Sequence, residues 1–251
     1  MHNISQILVI FFFLISPQIQ ATPAMLDCNP LADQASNASV EILKLMYAKK
    51  NSKTFSAIDG FANAYVLKLY HENYKNLTHH EHRISNQLQT SYPDNNYFVR
   101  YDKVTIDGET YLKSKRYPMT LSDLLDGIKM GKYDRYKINF RQMIAKIEAG
   151  LELMHSARLV HADIKPENIF LDENFNPFIG DFGVSVGIGK QHIGGTNGYK
   201  SPNQINYGTA KPQDDLVGGF AQTKKDISRL FPEGSELKDT VSNSNQPSTT
   251  N

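Results

Sequence analysis

The sequence has a single cysteine, Cys28, so it can close no intrachain disulfide, and a metal site built from clustered cysteines is excluded. Tryptophan is absent, leaving 13 Tyr and 13 Phe to supply the aromatic core. An excess of charge is lacking too. Lys+Arg of 27 against Asp+Glu of 26 leaves +1, no electrostatic footprint for nucleic acid or an anionic membrane surface. No internal repeat is visible. The apolar run Ile7–Ile15 is too short to span a bilayer as a helix. It fits the hydrophobic segment of a secretory signal ending at Ala21 or Ala24, so residues 1–24 are expected to be a signal peptide and the protein to be secreted. A buried N-terminal strand or helix is the other reading. Lipid attachment at Cys28 is disfavoured, because Asp27 stands where such signals want Gly or Ala.

What is present is globular: 40% hydrophobic and 21% charged residues, over 251 positions, suit one large domain or two small ones. From Val40 the pattern predicts a strand around Ile42–Tyr47, then Phe55–Ile58 and Ala64–Tyr70, with Asn51-Ser52-Lys53 and Asp59-Gly60 as turns. Leu77, Ile84 and Leu88 lie at helical spacing, with Thr78 as N-cap and Glu81 three residues on. His79, His80 and His82 lie close together there, but such positions diverge around a helix, so they read as a solvated face rather than a metal cluster. Tyr97–Val104 and Glu109–Lys115 read as strands joined by the hairpin signal Asp107-Gly108. Helices are expected from Thr120 and over Asp134–Ser156, the latter with Ile138, Met143, Ile147, Leu151 and Met154 as its apolar stripe. From Gly234 the chain is rich in Ser, Thr and Asn, and residues 234–251 read as a disordered tail.

The stretch His161–Gly183, HADIKPENIFLDENFNPFIGDFG, places Asp163, Lys165, Asn168 and Asp181 in one short segment, divided by the apolar Ile169-Phe170-Leu171 and the turn Asp172–Pro177. It resembles the protein kinase family: HADIKPEN is similar to the catalytic loop H-R-D-x-K-x-x-N, and Asp181-Phe182-Gly183 to D-F-G. The resemblance implies phosphoryl transfer from ATP with Mg²⁺. Asp163 would accept or orient the proton of an incoming hydroxyl, and Lys165 would screen charge beside the γ-phosphate. Asn168 and Asp181 would be the oxygen donors to Mg²⁺. AYVLKLY resembles the third kinase strand, V-A-I-K, which implies a phosphate-binding role for Lys68. Glu81 then has two roles open to it, closing a capping box or pairing with Lys68. Arg116–Met119 would be the hinge, where adenine bonds to backbone.

The resemblance covers about Val40 to Phe231. It implies an α+β, protein-kinase-like bilobal fold, with a small antiparallel-sheet N-lobe (residues 40–115) and a truncated helical C-lobe (residues 116–231). GGTNGYKSPN is similar to the end of an activation segment, and Thr196 to the threonine that bridges the catalytic Asp and Lys in serine/threonine kinases. Asp215 would hold the catalytic-loop backbone. Four departures stand out. KKNSKTFS lies where G-x-G-x-x-G is expected and has no glycine, leaving Lys50, Lys53, Ser52 and Thr54 as candidate phosphate contacts. Ala162 replaces the arginine that pairs with a phosphorylated loop, and Asn203 replaces a glutamate whose partner arginine lies far down the C-lobe. Gly218-Gly219 inside a helix is unfavourable by roughly 1 kcal/mol each. A truncated chain with Ala162 in place of that arginine and a short segment from Asp181 to Pro202 resembles the small effector kinases of pathogenic enterobacteria, the OspG and NleH group. That implies a serine/threonine kinase acting on a protein substrate in host cytoplasm, with a host protein covering the truncated C-lobe, and without stable membrane insertion once the signal is removed. A pseudokinase binding module is the alternative. Small-molecule phosphotransferases of kinase-like fold are a third class, which normally lacks Lys165 and the Thr196 segment.

Overall fold

The computed structural model describes residues 40–232 and Ser235. The expected signal peptide and nearly all of the expected tail lie outside these residues. Strands β1 (Glu41–Ala48), β2 (Ser52–Ile58) and β3 (Ala64–Tyr70) form successive antiparallel hairpins. With β4 (Asp102–Ile106) and β5 (Glu109–Lys115) they make one sheet of order β1-β2-β3-β5-β4. Asp107 and Gly108 both take positive φ, 50° and 79°, the conformation that a two-residue hairpin matching strand twist requires. The sheet alternates as a two-faced strand pattern demands. Leu67 and Ala57 pack with Tyr111 on one face, while Val66 and Lys68 line a cleft on the other.

Helix α1 (Asn76–Ser91) buries Ile84 and Leu88 in the main core, together with Leu112 of β5. It starts earlier than its sequence pattern indicates. Its N-cap is Lys75, with no side-chain cap bond, so Thr78 lies inside the helix, buried, and the Thr78–Glu81 capping box does not form. The strand expected over Tyr97–Val104 is also shorter. Residues 97–99 turn away from the five-stranded sheet, because their backbone finds partners elsewhere. Val99 N–H donates to the Ile179 carbonyl (2.8 Å) and Ile179 N–H to the Tyr97 carbonyl (2.8 Å).

The second half is largely helical. β6 (Met119–Thr120) leads into α2 (Leu121–Lys129), closed by a Thr120–Asp123 capping box. The long helix expected from Asp134 is divided into a 3₁₀ turn, Arg135–Lys137, and α3 (Phe140–Ser156). Asn139 accepts from Gln142 N–H at 3.0 Å and so starts α3 afresh, leaving Ile138 outside it. The rest of the stripe, Met143, Ile147, Leu151 and Met154, is buried. β7 (Leu159–Val160) pairs with β10 (Val186–Gly187), while β8 (Ile169–Leu171) lies between β6 and β9 (Pro177–Ile179). The expected Ile169–Leu171 strand and the turn after it are therefore formed, and they carry Asn168 and Asp181 to one place.

The chain ends its described part with α4 (Pro202–Ile205), α5 (Pro212–Asp214), a π-helical stretch Asp215–Phe220, and α6 (Ala221–Ser228). Gly218 and Gly219 sit in the π-helical stretch for a packing reason. A Cβ on Gly219 would fall on the Ile164 carbonyl oxygen, and one on Gly218 would come within 2.7 Å of Ser201 N and Tyr199 O. The glycines let two segments press onto the helix, which outweighs their low helix propensity. Among the described residues no helix is long and apolar enough to cross a membrane.

Gly219→Ala should therefore destabilise the fold by about 1–3 kcal/mol through overpacking. Gly60→Ala is the control: its added Cβ would meet nothing within 4 Å, and its effect should stay within about 0.5 kcal/mol. Urea denaturation of both variants checks this, and equal midpoints would refute the close approach.

Candidate functional site

One end of the cleft is a partly buried ionic cluster. Lys68 Nζ on β3 donates to Glu81 Oε2 on α1 (2.9 Å) and to Asp181 Oδ1 (2.7 Å). Of the two roles open to Glu81, the pairing with Lys68 is the one formed. Tyr70 Oη donates to Glu81 Oε2 (2.8 Å) and Phe182 N–H to Glu81 Oε1 (3.1 Å), so three donors converge on a fully buried carboxylate. Burial raises the Glu81 pKa, and Lys68 offsets only part of that rise. For Lys68 the balance is reversed. Burial lowers its pKa, but Asp181 and Glu81 together hold it well above the usual lysine value. Burial also opposes ionisation of Asp181, yet Lys68 and then Lys49 bring it far below the usual carboxylate range.

Two tyrosines complete this end, and neither was foreseen from the sequence. Tyr101 Oη accepts the Asp181 N–H (3.0 Å), and Tyr101 N–H donates to Ser85 Oγ on α1 (2.9 Å). Its ring stands edge-on to fully buried Phe182, centroids 5.9 Å apart. One residue, through its backbone N–H, hydroxyl and ring, thus ties α1, Asp181 and Phe182 together. The only sequence signal was a tyrosine among strand residues, which ordinary core packing explains equally well.

Beside this cluster, β7 delivers the loop His161–Asn168. Asp215 holds its backbone as expected, accepting from His161 N–H and Ala162 N–H, both at 2.8 Å, and from His155 Nε2 at 2.9 Å. That clamp stabilises Ala162 at φ 67°, a left-handed conformation costly for a residue with a side chain. Asp163 is enclosed by donors: Lys165 Nζ (2.9 Å), Thr196 N–H (2.7 Å) and Asn168 Nδ2 (3.2 Å). Lys165 Nζ also donates to Thr196 Oγ1 (2.6 Å), so Thr196 bridges the Asp163–Lys165 pair. The Asn168 amide nitrogen also reaches the Asp163 carbonyl (2.9 Å), leaving its amide oxygen as the donor atom to face a cation. Among the described residues no group of three or more His, Cys, Asp or Glu could by itself hold a metal. An ion at Asn168 and Asp181 would complete its shell from water or ligand oxygens, as Mg²⁺ commonly does.

The segment from Asp181 to Asn203 is anchored by an unexpected residue. Asn203 does not leave its site without a partner. Its Nδ2 donates to Asp214 Oδ2 (2.8 Å) and to the Thr209 carbonyl (2.9 Å). Asp214 also receives Ser201 Oγ (2.6 Å), His192 Nε2 (2.9 Å) and Lys211 N–H (2.9 Å). Nor are the α1 histidines all a solvated face. His80 Nε2 hydrogen-bonds the Ser185 carbonyl at 2.8 Å, joining α1 to the stretch after Gly183.

The cleft itself is solvent-open, with Met46, Val66, Met119 and Phe170 among its apolar lining and Arg116, Tyr117 and Pro118 beside them. Ser52 and Thr54 line it, whereas Lys50 and Lys53 are exposed and lie outside the lining. A largely apolar cleft that opens onto lysines and oxygen donors suits a ligand with an apolar head and a polyanionic tail.

The Asp163 carboxylate yields a pH test. Burial raises its pKa, but hydrogen bonds from Lys165 and Thr196 outweigh that and hold it below the ordinary value. Its stabilising contribution is therefore complete above the unfolded value of about 3.9 and is lost as pH falls through the lower folded value. Urea unfolding of wild type and Asp163→Asn should show a stability difference that is constant from about pH 8 to about pH 5 and shrinks below about pH 4. A difference that grows on acidification would mean the carboxylate is held protonated.

Comparison with known proteins agrees with this geometry. A family model, protein kinase domain, matches residues 67–217, beginning within β3. A G-type lectin S-receptor-like serine/threonine-protein kinase of Arabidopsis thaliana is 46% identical over 54 residues, 19% of this chain and 6% of that protein. Another of the same plant, SD2-5, is 38% identical over 89 residues, 28% of this chain and 11% of that protein. The serine/threonine-protein kinase PknL of Mycobacterium tuberculosis is 29% identical over 117 residues, 41% of this chain and 29% of that protein. The chain thus spans less than a third of the length of each of these relatives. With the kinase domain matched over more than half of the sequence, and the Lys68–Glu81–Asp181 cluster set beside Asp163, this chain belongs to the protein kinase family.

Proposed function

We propose that this chain is an ATP-dependent protein serine/threonine kinase, transferring a phosphoryl group to a protein hydroxyl. The observation that carries the reading is the Asp163–Lys165–Thr196 triangle next to the assembled Lys68–Glu81–Asp181 cluster. Asp163, held ionised, orients the incoming hydroxyl and takes its proton. Lys165 presents a compact cation where charge develops on the transferred group. Lys68 is fixed by Glu81 so that its ammonium faces the phosphates, and the 116–118 backbone meets the adenine edge. When bound, ATP supplies the phosphoryl group, and Mg²⁺ on Asn168 and Asp181 neutralises its oxygens. Thr196 binds Lys165 and positions the segment on which a substrate lies. Ala162 supplies no arginine to await a loop phosphate, which supports a site that orders without loop phosphorylation.

Similarity to the kinases named above supports the serine/threonine assignment. The secretory pattern at residues 1–24 supports a role outside the producing cell, and host cytoplasm would supply the ATP. The OspG and NleH type of effector is the role that joins these two features. Ile205, Tyr207 and Val217, all exposed, are where a host protein would cover the second lobe. A second reading, a pseudokinase that binds without catalysis, is favoured by the glycine-free turn between β1 and β2.

An ATP–Mg²⁺ phosphorylation assay separates the two. Asp163→Asn should lower kcat by about 10²–10⁴-fold with nucleotide affinity nearly unchanged. Asp181→Ala should weaken Mg²⁺-dependent nucleotide binding, and phosphatase treatment should leave wild-type activity intact. A wild type that binds ATP but phosphorylates neither a basic substrate nor itself would favour the pseudokinase. Secretion is tested by mass spectrometry of the exported protein, whose N-terminus should lie near Thr22 or Met25; an intact Met1 would rule out signal cleavage.

A further inference from the structure

The connection between β1 and β2 is three residues, Lys49–Asn51, none of them glycine, and part of its backbone is committed within the fold. Lys49 N–H donates to the Ser52 carbonyl (2.7 Å), and the Asn51 carbonyl accepts from His71 N–H (2.9 Å), which ties the turn to the end of β3. The Lys49 N–H, which a looser turn could aim at an anion, is thereby spent inside the turn.

A side chain can supply that contact instead, and strand alternation decides which one is placed to do so. Along β2, Ser52, Thr54 and Ser56 point inward, which puts Lys53 on the opposite face. Lys50 is exposed within the turn. Lys49 alone of the three reaches the cleft. It borders both the largely apolar cleft and the polar recess shared by Lys68, Asp163, Lys165 and Asp181. Its Nζ lies 3.7 Å from Asp181 Oδ2, beyond a tight hydrogen bond, and its side chain is 51% exposed. The other two cations of the recess are committed. Lys68 holds Glu81 and Asp181, and Lys165 holds Asp163 and Thr196. Lys68 also serves two carboxylates with one charge, so the cluster draws in a further cation. Lys49 is the nearby side chain with both the reach and the freedom to follow an incoming anion.

We infer that Lys49 is a binding residue for the phosphate tail of a nucleoside triphosphate. It supplies by a side-chain ammonium the contact that a glycine-rich backbone would otherwise make. The inference rests on the nucleotide reading of the cleft. An ammonium on a flexible stem recognises charge more than shape, so the contribution of Lys49 weakens as ionic strength rises.

The test is equilibrium binding to the full chain, in Mg²⁺, of a non-hydrolysable ATP analogue and of adenosine. Lys49→Ala should weaken the analogue roughly tenfold, as expected for loss of a charge-assisted hydrogen bond, and leave adenosine within about twofold. Lys50→Ala and Lys53→Ala should leave both ligands within about twofold. Unchanged analogue affinity in Lys49→Ala, or equal loss of adenosine, would overturn the inference. A wild type that binds neither ligand would overturn the nucleotide reading itself and this inference with it.

Discussion

The part-buried contact of one ammonium with two carboxylates, Lys68 with Glu81 and Asp181, is the constraint on which the rest of this structure depends. Glu81, which is fully buried, would be costly to leave charged without the ammonium of Lys68. The three come from a strand, a helix and the loop after β9. Satisfying them therefore fixes the position of α1 against the sheet and of Asp181 against both. Tyr70 and Tyr101 add neutral donor and acceptor groups where the ion pairs leave lone pairs or N–H groups unmet. Phe182 is carried into the core by the same arrangement, since its N–H ends on Glu81.

A second pair of carboxylates organises the other half. Asp214 and Asp215 are neighbours at a change of helical geometry and face different segments. Asp215 takes the His161 and Ala162 N–H groups, and Asp214 gathers His192, Ser201 and Asn203 from the segment that carries Thr196. Gly218 and Gly219, just beyond, let the same two segments approach the helix. One short stretch of chain therefore sets both the catalytic loop and the segment packed on it. Thr196 closes the arrangement by bonding Lys165 and Asp163. The site is thus assembled by internal hydrogen bonds.

How much was legible in the sequence follows from how far apart the partners lie. The spacing of Asp163, Lys165, Asn168 and Asp181, the Asp107-Gly108 hairpin and the apolar stripe of α3 are local patterns. Each is determined within a few turns or one hairpin, by alternation, backbone conformation or helical period. They were enough for the fold class, for the candidate catalytic residues and for Lys68. Local pattern also misled, as at Thr78, whose place before an apolar run suggested a cap that the earlier start of α1 supersedes.

What the sequence by itself determined, then, was the set of chemical groups and the lobes that carry them. Tertiary structure decided which of those groups meet. Lys68 and Asp181 are 113 residues apart, and His161 and Asp215 are separated by 54. No periodicity reports such a contact. Whether Glu81 caps a helix or neutralises a lysine, and whether Asn203 is left without a partner, each depend on where a distant segment packs. Burial settles these cases, because a polar group removed from water must find its partner wherever the fold has brought one.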